Sequence, residues 1–169
     1  MSRAIVASTA AGDFDALVGP YIEPGYRLAV TLLRDPTEAQ DAVQEAADKA
    51  WRSLRRLRDP AQSRSWFLKI VANQCKSTMR RHWWTLGRNT LPTVRVAWSE
   101  DAMARSLDID AAMNRLTPDD RLVLHLHFYQ DLTLEEVGRV LSISTGAARS
   151  RVYRAAKRLR PSLSEEDLR

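Results

Sequence analysis

The sequence predicts an all-α chain made of two small helical domains joined by a flexible linker, the C-terminal one containing a helix-turn-helix. Three observations predict it. Apolar residues recur at intervals of three and four along almost the whole chain, with no sustained alternation of the kind a strand requires. That period lapses in one interior stretch, "TLGRNTLPTVRVAWS", where Gly87, Asn89 and Pro92 interrupt it and the chain reads as a linker. Near the C-terminus, two short amphipathic patterns are separated only by "SIS", Ser142 to Ser144. With 169 residues, of which 44% are hydrophobic, the chain can build two compact cores.

Helices are expected over residues 14–33, 36–57, 65–84, 101–116, 118–129, 133–141 and 145–160. The second opens on Asp35-Pro36 followed by Glu38, which resembles a capping box with proline at the first helical position. Thr117-Pro118 and Ser144 give similar start signals for later helices. In the second helix Ala39, Val43, Ala46, Ala50, Leu54 and Leu57 form the core seam, while Asp41, Gln44, Glu45 and Asp48 line the opposite face. In the third, Leu68, Val71, Ala72, Cys75 and Met79 face inward. Lys69, Asn73, Lys76 and Arg80 share its outer stripe, bordered by Trp66 and Trp84. In the last, Ala148, Val152, Ala155 and Leu159 make a narrow apolar stripe. Ser150, Tyr153, Arg154 and Lys157 cluster opposite it, with Arg149 and Arg151 on the flanks. Gly138 and Ile143 fall where a tight crossing of the last two helices needs them, and Ser142 stands where many such turns carry glycine.

Charge is segregated along the chain. The net charge is +5, yet residues 36–48 hold four acids and no base, and residues 49–81 hold ten bases against the single acid Asp59. The last helix carries six Lys or Arg and no acid between Thr145 and Arg160. A basic helix that follows a short helix and a tight turn is the part of a helix-turn-helix that enters the major groove, where Arg grips guanine or phosphate and Ser or Tyr contacts base and backbone. Bases beside aromatics on the third helix suit single-stranded nucleic acid, because cations track the backbone while rings and amides engage exposed bases. An acidic and amide stripe on an otherwise basic chain suits a basic protein partner. Each face also has a plainer reading as solvated surface.

Other classes are weighed against this. Cys75 is the lone cysteine, so an internal disulfide framework is excluded and a reducing cytoplasm is expected. No run approaches the ~18–20 apolar residues of a membrane helix, and "MSRAIVASTAAG" lacks a signal-peptide core, so no direct membrane insertion is expected. His125 and His127 stand two apart on a helix and point away from each other, which disfavours a shared metal. With no phosphate-binding glycine loop and no nucleophile beside a base, no enzymatic activity, catalytic residue, metal or cofactor is expected. The remaining rival is a two-domain DNA-binding regulator whose N-terminal half senses a signal.

Three stretches together, "DPTEAQDAVQEAADKAWRSL", "SWFLKIVANQCKSTMRR" and "LTPDDRLVLHLHFYQDLTLEEVGRVLSISTGAARSRVYRAAKRL", resemble the sigma-70 family of bacterial RNA polymerase initiation factors, in its small extracytoplasmic-function (ECF) group. The resemblance covers residues 14–161 and implies a region 2 like domain over 1–85, a linker over 86–100 and a region 4 like helix-turn-helix domain over 101–169. It implies that Asp41, Gln44, Glu45 and Asp48 bind the clamp helices of the largest subunit of core RNA polymerase. It implies that Ser63, Arg64, Trp66, Lys69, Asn73, Lys76 and Arg80 hold the single-stranded minus-ten element of promoter DNA. Arg149, Ser150, Arg151, Tyr153, Arg154 and Lys157 would read the minus thirty-five element as duplex. Control by an anti-sigma factor is implied by the resemblance alone.

Overall fold

A computed structural model describes residues 13–86, 112–113 and 115–159, with side chains in the first stretch through His82, and no strand occurs among them. The expectations for the first twelve residues, for the linker, for most of the helix at 101–116 and for Trp84 as a border residue fall outside the described residues.

The expected helix over 14–33 is broken. A helical segment at residues 13–17 gives way to a 3-10 turn, Gly19–Tyr21, and helix α1 begins after it at Ile22–Leu33. Pro20 lies in that turn and has no N–H to continue an α-helical ladder, which explains the break. Arg34 stops α1 in the left-handed region at φ 61°, its N–H bonded to the Val30 carbonyl at 2.8 Å. Asp35 then caps α2, Pro36–Ser53, accepting from the N–H groups of Thr37 at 2.8 Å and Glu38 at 3.0 Å. The end of α2 tightens into a 3-10 turn, Leu54–Arg56, where the sequence pattern had continued as helix. A second 3-10 turn, Pro60–Gln62, capped by Asp59, leads into α3, Ser63–Leu86.

These helices enclose a core of Val18, Leu28, Leu32, Val43, Phe67, Leu68, Val71 and Cys75, all at or below 6% exposure. Gly25 permits the close approach of α1 to α3: a Cβ there would meet the Phe67 ring at 3.0 Å and the Val71 methyl at 3.2 Å.

In the second lobe α4, Pro118–Leu124, starts where Thr117 Oγ1 accepts the Asp120 N–H at 3.2 Å. The helix then widens into a π-helical turn, His125–Tyr129, closed by the Gln130 N–H on the His125 carbonyl at 2.9 Å. Helix α5, Leu134–Leu141, opens with a reciprocal capping box between Thr133 and Glu136. Ser142 ends it at φ 56°, ψ 45°, a left-handed geometry uncomfortable for serine. Helix α6, Thr145–Leu159, follows after the Ser144 hydroxyl accepts the Ala147 N–H at 3.2 Å. The α5–α6 crossing is tight because residue 138 is glycine; a Cβ there would lie 2.8 Å from the Ile143 carbonyl oxygen. The two lobes pack together, with α3 against α5 and α1 against α4.

Candidate nucleic-acid and protein interfaces

Helix α2 buries Ala39, Ala42, Val43, Ala46 and Ala50 and leaves Asp41, Gln44, Glu45 and Asp48 exposed as one acidic and amide face. The face is braced from behind. Gln74 of α3, only 3% exposed, donates its amide to the Glu45 carboxylate and accepts from the Lys49 ammonium. A buried amide bonded on both sides fixes the Glu45 rotamer, so that carboxylate is presented at one place. Trp51, at 46% exposure, closes the C-terminal end of α2 and packs edge-on against Phe14 with ring centroids 5.2 Å apart.

The second face is split. Asn73 and Arg80 stand in solvent, and Trp66, Lys69 and Lys76 are half-buried. Lys69 and Trp66 line a cleft of about 580 Å³ whose far wall is the helix-turn-helix, through Glu135, Arg139 and Ile143. Ser63 is 5% exposed, and the Arg64 guanidinium is turned toward the second lobe, donating to the Gln130 backbone carbonyl and, at 3.4 Å, to its side-chain oxygen. Lys76 Nζ pairs across the lobes with Asp119 at 3.1 Å. Of the seven residues expected on this surface, Lys69, Asn73 and Arg80 carry cations or amides without an inter-lobe bond among the described residues.

The third face is open throughout. Ala148, Val152 and Ala155 anchor α6 to the lobe, and Arg149, Ser150, Arg151, Tyr153, Arg154 and Lys157 all project outward, Tyr153 to 69% exposure. Arg158, the remaining base of this helix among the described residues, is held back by Asp120 of α4 at 2.6 Å. Asp119 and Asp120 therefore do more than complement the α4 dipole: one ties the lobes together and the other holds α6 to α4.

Both histidines of "HLH" have separate duties. His127 Nδ1 meets the Leu132 carbonyl at 2.8 Å, and His125 is buried at the seam between the lobes. Burial, reinforced by the Arg27 charge, pushes the His125 imidazole down to about 4. Among the described residues no group of three or more His, Cys, Asp or Glu could hold a metal ion, and burial pushes the Cys75 thiol up to about 12, far from a reactive thiolate.

Residues 17–85 match Sigma-70 region 2, and residues 112–161 match Sigma-70, region 4. The ECF RNA polymerase sigma factor SigM of Mycobacterium tuberculosis is 30% identical over 161 residues, covering 92% of this chain and 81% of the relative. This chain belongs to the sigma-70 family, in its ECF group. The RNA polymerase sigma factor SigV of Bacillus subtilis is 29% identical over 143 residues, covering 85% of this chain and 86% of its own length. The fold is that of the sigma factor RpoE crystallised with the anti-sigma factor NepR from Bartonella quintana, with a TM-score of 0.79, 23% identity, and coverage of 89% of this chain and 96% of that one.

As a sigma factor the chain directs RNA polymerase to specific promoters for transcription initiation. Sequence reasoning missed the roles of three residues of this sigma factor. Gln74 was readable as a polar side chain embedded in the apolar stripe of α3, whereas Gln130 and His125 take their roles from contacts with Pro24, Thr31 and Arg64, far away in the chain.

Proposed function

We propose that the three faces divide the work of initiation. Asp41, Gln44, Glu45 and Asp48 on α2 dock on the clamp helices of the largest polymerase subunit. Trp66, Lys69, Asn73, Lys76 and Arg80, with Ser63 and Arg64 at the start of α3, capture the non-template strand of the minus-ten element and so help to open the promoter. Arg149, Ser150, Tyr153 and Arg154 read the minus thirty-five duplex, with Arg151 and Lys157 on phosphate. The domains run over 1–85 and 101–169, with 86–100 threading between them toward the polymerase cleft. The chain works in the cytoplasm, has no enzymatic activity and is held in check by an anti-sigma factor; among the described residues no helix is long and apolar enough to cross a membrane.

The observation that carries this reading is the separation of chemistry onto different helices: acids and an amide, with no base, over the exposed face of α2 from Asp41 to Asp48, and bases, hydroxyls and an exposed tyrosine on the α6 face. Neither face serves the other's partner, since acids repel phosphate and a basic helix gains little from basic clamp surfaces.

The test is association with bacterial core RNA polymerase. The double charge reversal Asp41→Lys, Glu45→Lys is expected to weaken binding at least ~30-fold, because removing one partner of an interfacial charge contact costs about 2–5 kcal/mol. Glu45 accepts from the buried Gln74 amide, so the double variant should also lose some stability, and the single variant Asp41→Lys, at an exposed position, is measured beside it with its melting temperature expected to be little changed. Undiminished binding by the reversed variant would overturn the assignment of α2.

A further inference from the structure

Helix α2 carries a glutamate and a lysine four residues apart, Glu45 and Lys49, both exposed on the same side of the helix. In that order and spacing two such side chains ordinarily meet and offset each other's charge. Here the Gln74 amide stands between them, its NH2 donating to the Glu45 carboxylate and its oxygen accepting from the Lys49 ammonium. The two charges fix the orientation of the amide, since a flipped one would set NH2 against an ammonium and oxygen against a carboxylate. Gln74 belongs to α3, in a stretch where Val71, Ala72, Cys75 and Thr78 are also buried, and is itself 3% exposed. The packing of α3 therefore brings the amide to one place on α2.

We propose that Gln74 is a positioning residue for polymerase docking: it holds Lys49 off Glu45 and so keeps the Glu45 carboxylate charged, ordered and open to a basic partner. The proposal deepens, and rests on, the assignment of the α2 face to core polymerase. Three observations carry it. The Gln74 amide occupies Oε2 of Glu45 and leaves Oε1 without a partner among the described residues, so one carboxylate oxygen stays available for an incoming cation. An amide is neutral and leaves the carboxylate its full charge, whereas Lys49 is the first base after the acidic stretch of 36–48 and would cancel it. Finally, Gln74 is too deeply buried to touch a partner, so any effect it has on docking passes through the side chains it holds. A carboxylate already ordered in the free chain also has less side-chain freedom to lose on binding.

The test is the affinity of the full chain for bacterial core RNA polymerase across a set of variants. Gln74→Leu puts an apolar side chain of similar volume at the buried position and lets Glu45 and Lys49 pair directly; it is expected to weaken binding about fivefold. Gln74→Met, unbranched as glutamine is, is measured beside it, and the same loss in both separates the missing amide from a packing defect of either. Adding Lys49→Met to Gln74→Leu removes the competing base at an exposed position and is expected to return most of the lost affinity. Lys49→Met alone should raise affinity less than about twofold, because in the wild type the amide already holds that ammonium back. Recovery on removing a second side chain is a result that a merely structural bond does not give, since two structural losses add.

Wild-type affinity in Gln74→Leu, or a loss that Lys49→Met leaves in place, overturns the role of Gln74 and leaves α2 standing as the docking face. The underlying assignment is examined separately with Glu45→Ala. If that variant binds as the wild type does, Glu45 takes no part in docking and the role of Gln74 falls with it. If Glu45→Ala weakens binding and Gln74→Leu adds no further loss, the amide acts through that carboxylate. A further loss of the same fivefold would show that it acts elsewhere in the lobe, which also overturns the proposal.

Discussion

The two basic faces of this sigma factor differ in how much of them solvent can reach. On α6 every side chain assigned to the duplex stands outward, whereas at the start of α3 Ser63 is buried and Arg64 is bonded to the second lobe. The difference follows from how each helix is packed. Helix α6 is held on one side by small residues, Ala148, Val152 and Ala155, which leave most of its circumference free. Helix α3 is enclosed by α1 and α2 on two sides and approached by α5 on a third. A helix used to organise a lobe has little surface left, so a second lobe resting on it takes part of its binding face.

The comparison can be broken most strongly with acid. His125 is neutral in the closed chain because burial and Arg27 hold its imidazole down to about 4, against an ordinary value of 6.5. Its neighbours at the seam are Thr31, Arg27, Gln130 and the Tyr129 ring, stacked with centroids 4.8 Å apart. Because the pKa is lowered in the closed form, the stabilisation is full above pH 6.5. It is lost as pH falls toward 4, where the open chain takes up a proton that the closed chain refuses. The full loss is about 3 kcal/mol, at 1.36 kcal/mol for each pH unit. Scattering recorded from pH 7.5 to 4.5 should therefore show the lobes part, and His125→Gln should remove the transition. A transition that persists in that variant would show that His125 does not cause it.

A smaller effect sharpens the contrast between the faces. Arg154→Ala on α6 should cost about 1–3 kcal/mol of promoter affinity and relax preference at one base pair of the duplex element, because nothing in the free chain has to be released before Arg154 reaches DNA. Asn73→Ala on α3 should leave binding to that duplex element untouched and slow promoter opening. A uniform loss across all duplex sequences for Arg154→Ala would make it a phosphate contact, and unimpaired opening by Asn73→Ala would remove it from the single-strand surface.

What the sequence disclosed about these faces, and what it withheld, follows the range of the forces involved. The seams and outer faces of α2 and α6 were legible because helical period alone sorts Ala46 from Glu45 and Val152 from Arg154. The cap at Asp35 was equally local. The capping box between Thr133 and Glu136 and the break at Pro20 are equally local, yet both went unread, because the apolar period runs on through Pro20 and helix 14–33 was expected to be continuous. By contrast the bond from Arg64 to Gln130 spans 66 residues and that from Gln130 to Pro24 spans 106, and no periodicity announces such pairs. The π-helical turn belongs with them, since it brings His125 and Gln130 to the same seam.

The smallest expected effect concerns the turn that orients the open face. Ser142 holds φ 56° at the end of α5, where its N–H and that of Ile143 close back onto Arg139 and Gly138, the latter at 2.9 Å. A side chain with a Cβ pays about 1–2 kcal/mol to sit there, and glycine does not. Glycine in turn loses more backbone entropy on folding, about 0.5–1 kcal/mol. The balance favours Ser142→Gly by roughly 0.5–1 kcal/mol, read as a higher melting temperature with an unchanged α6 face. The same reasoning separates strain from function at this position. If the glycine variant is more stable and its duplex preference is unaltered, the serine is merely tolerated. If preference shifts while stability rises, the strained turn sets the angle at which α6 meets DNA.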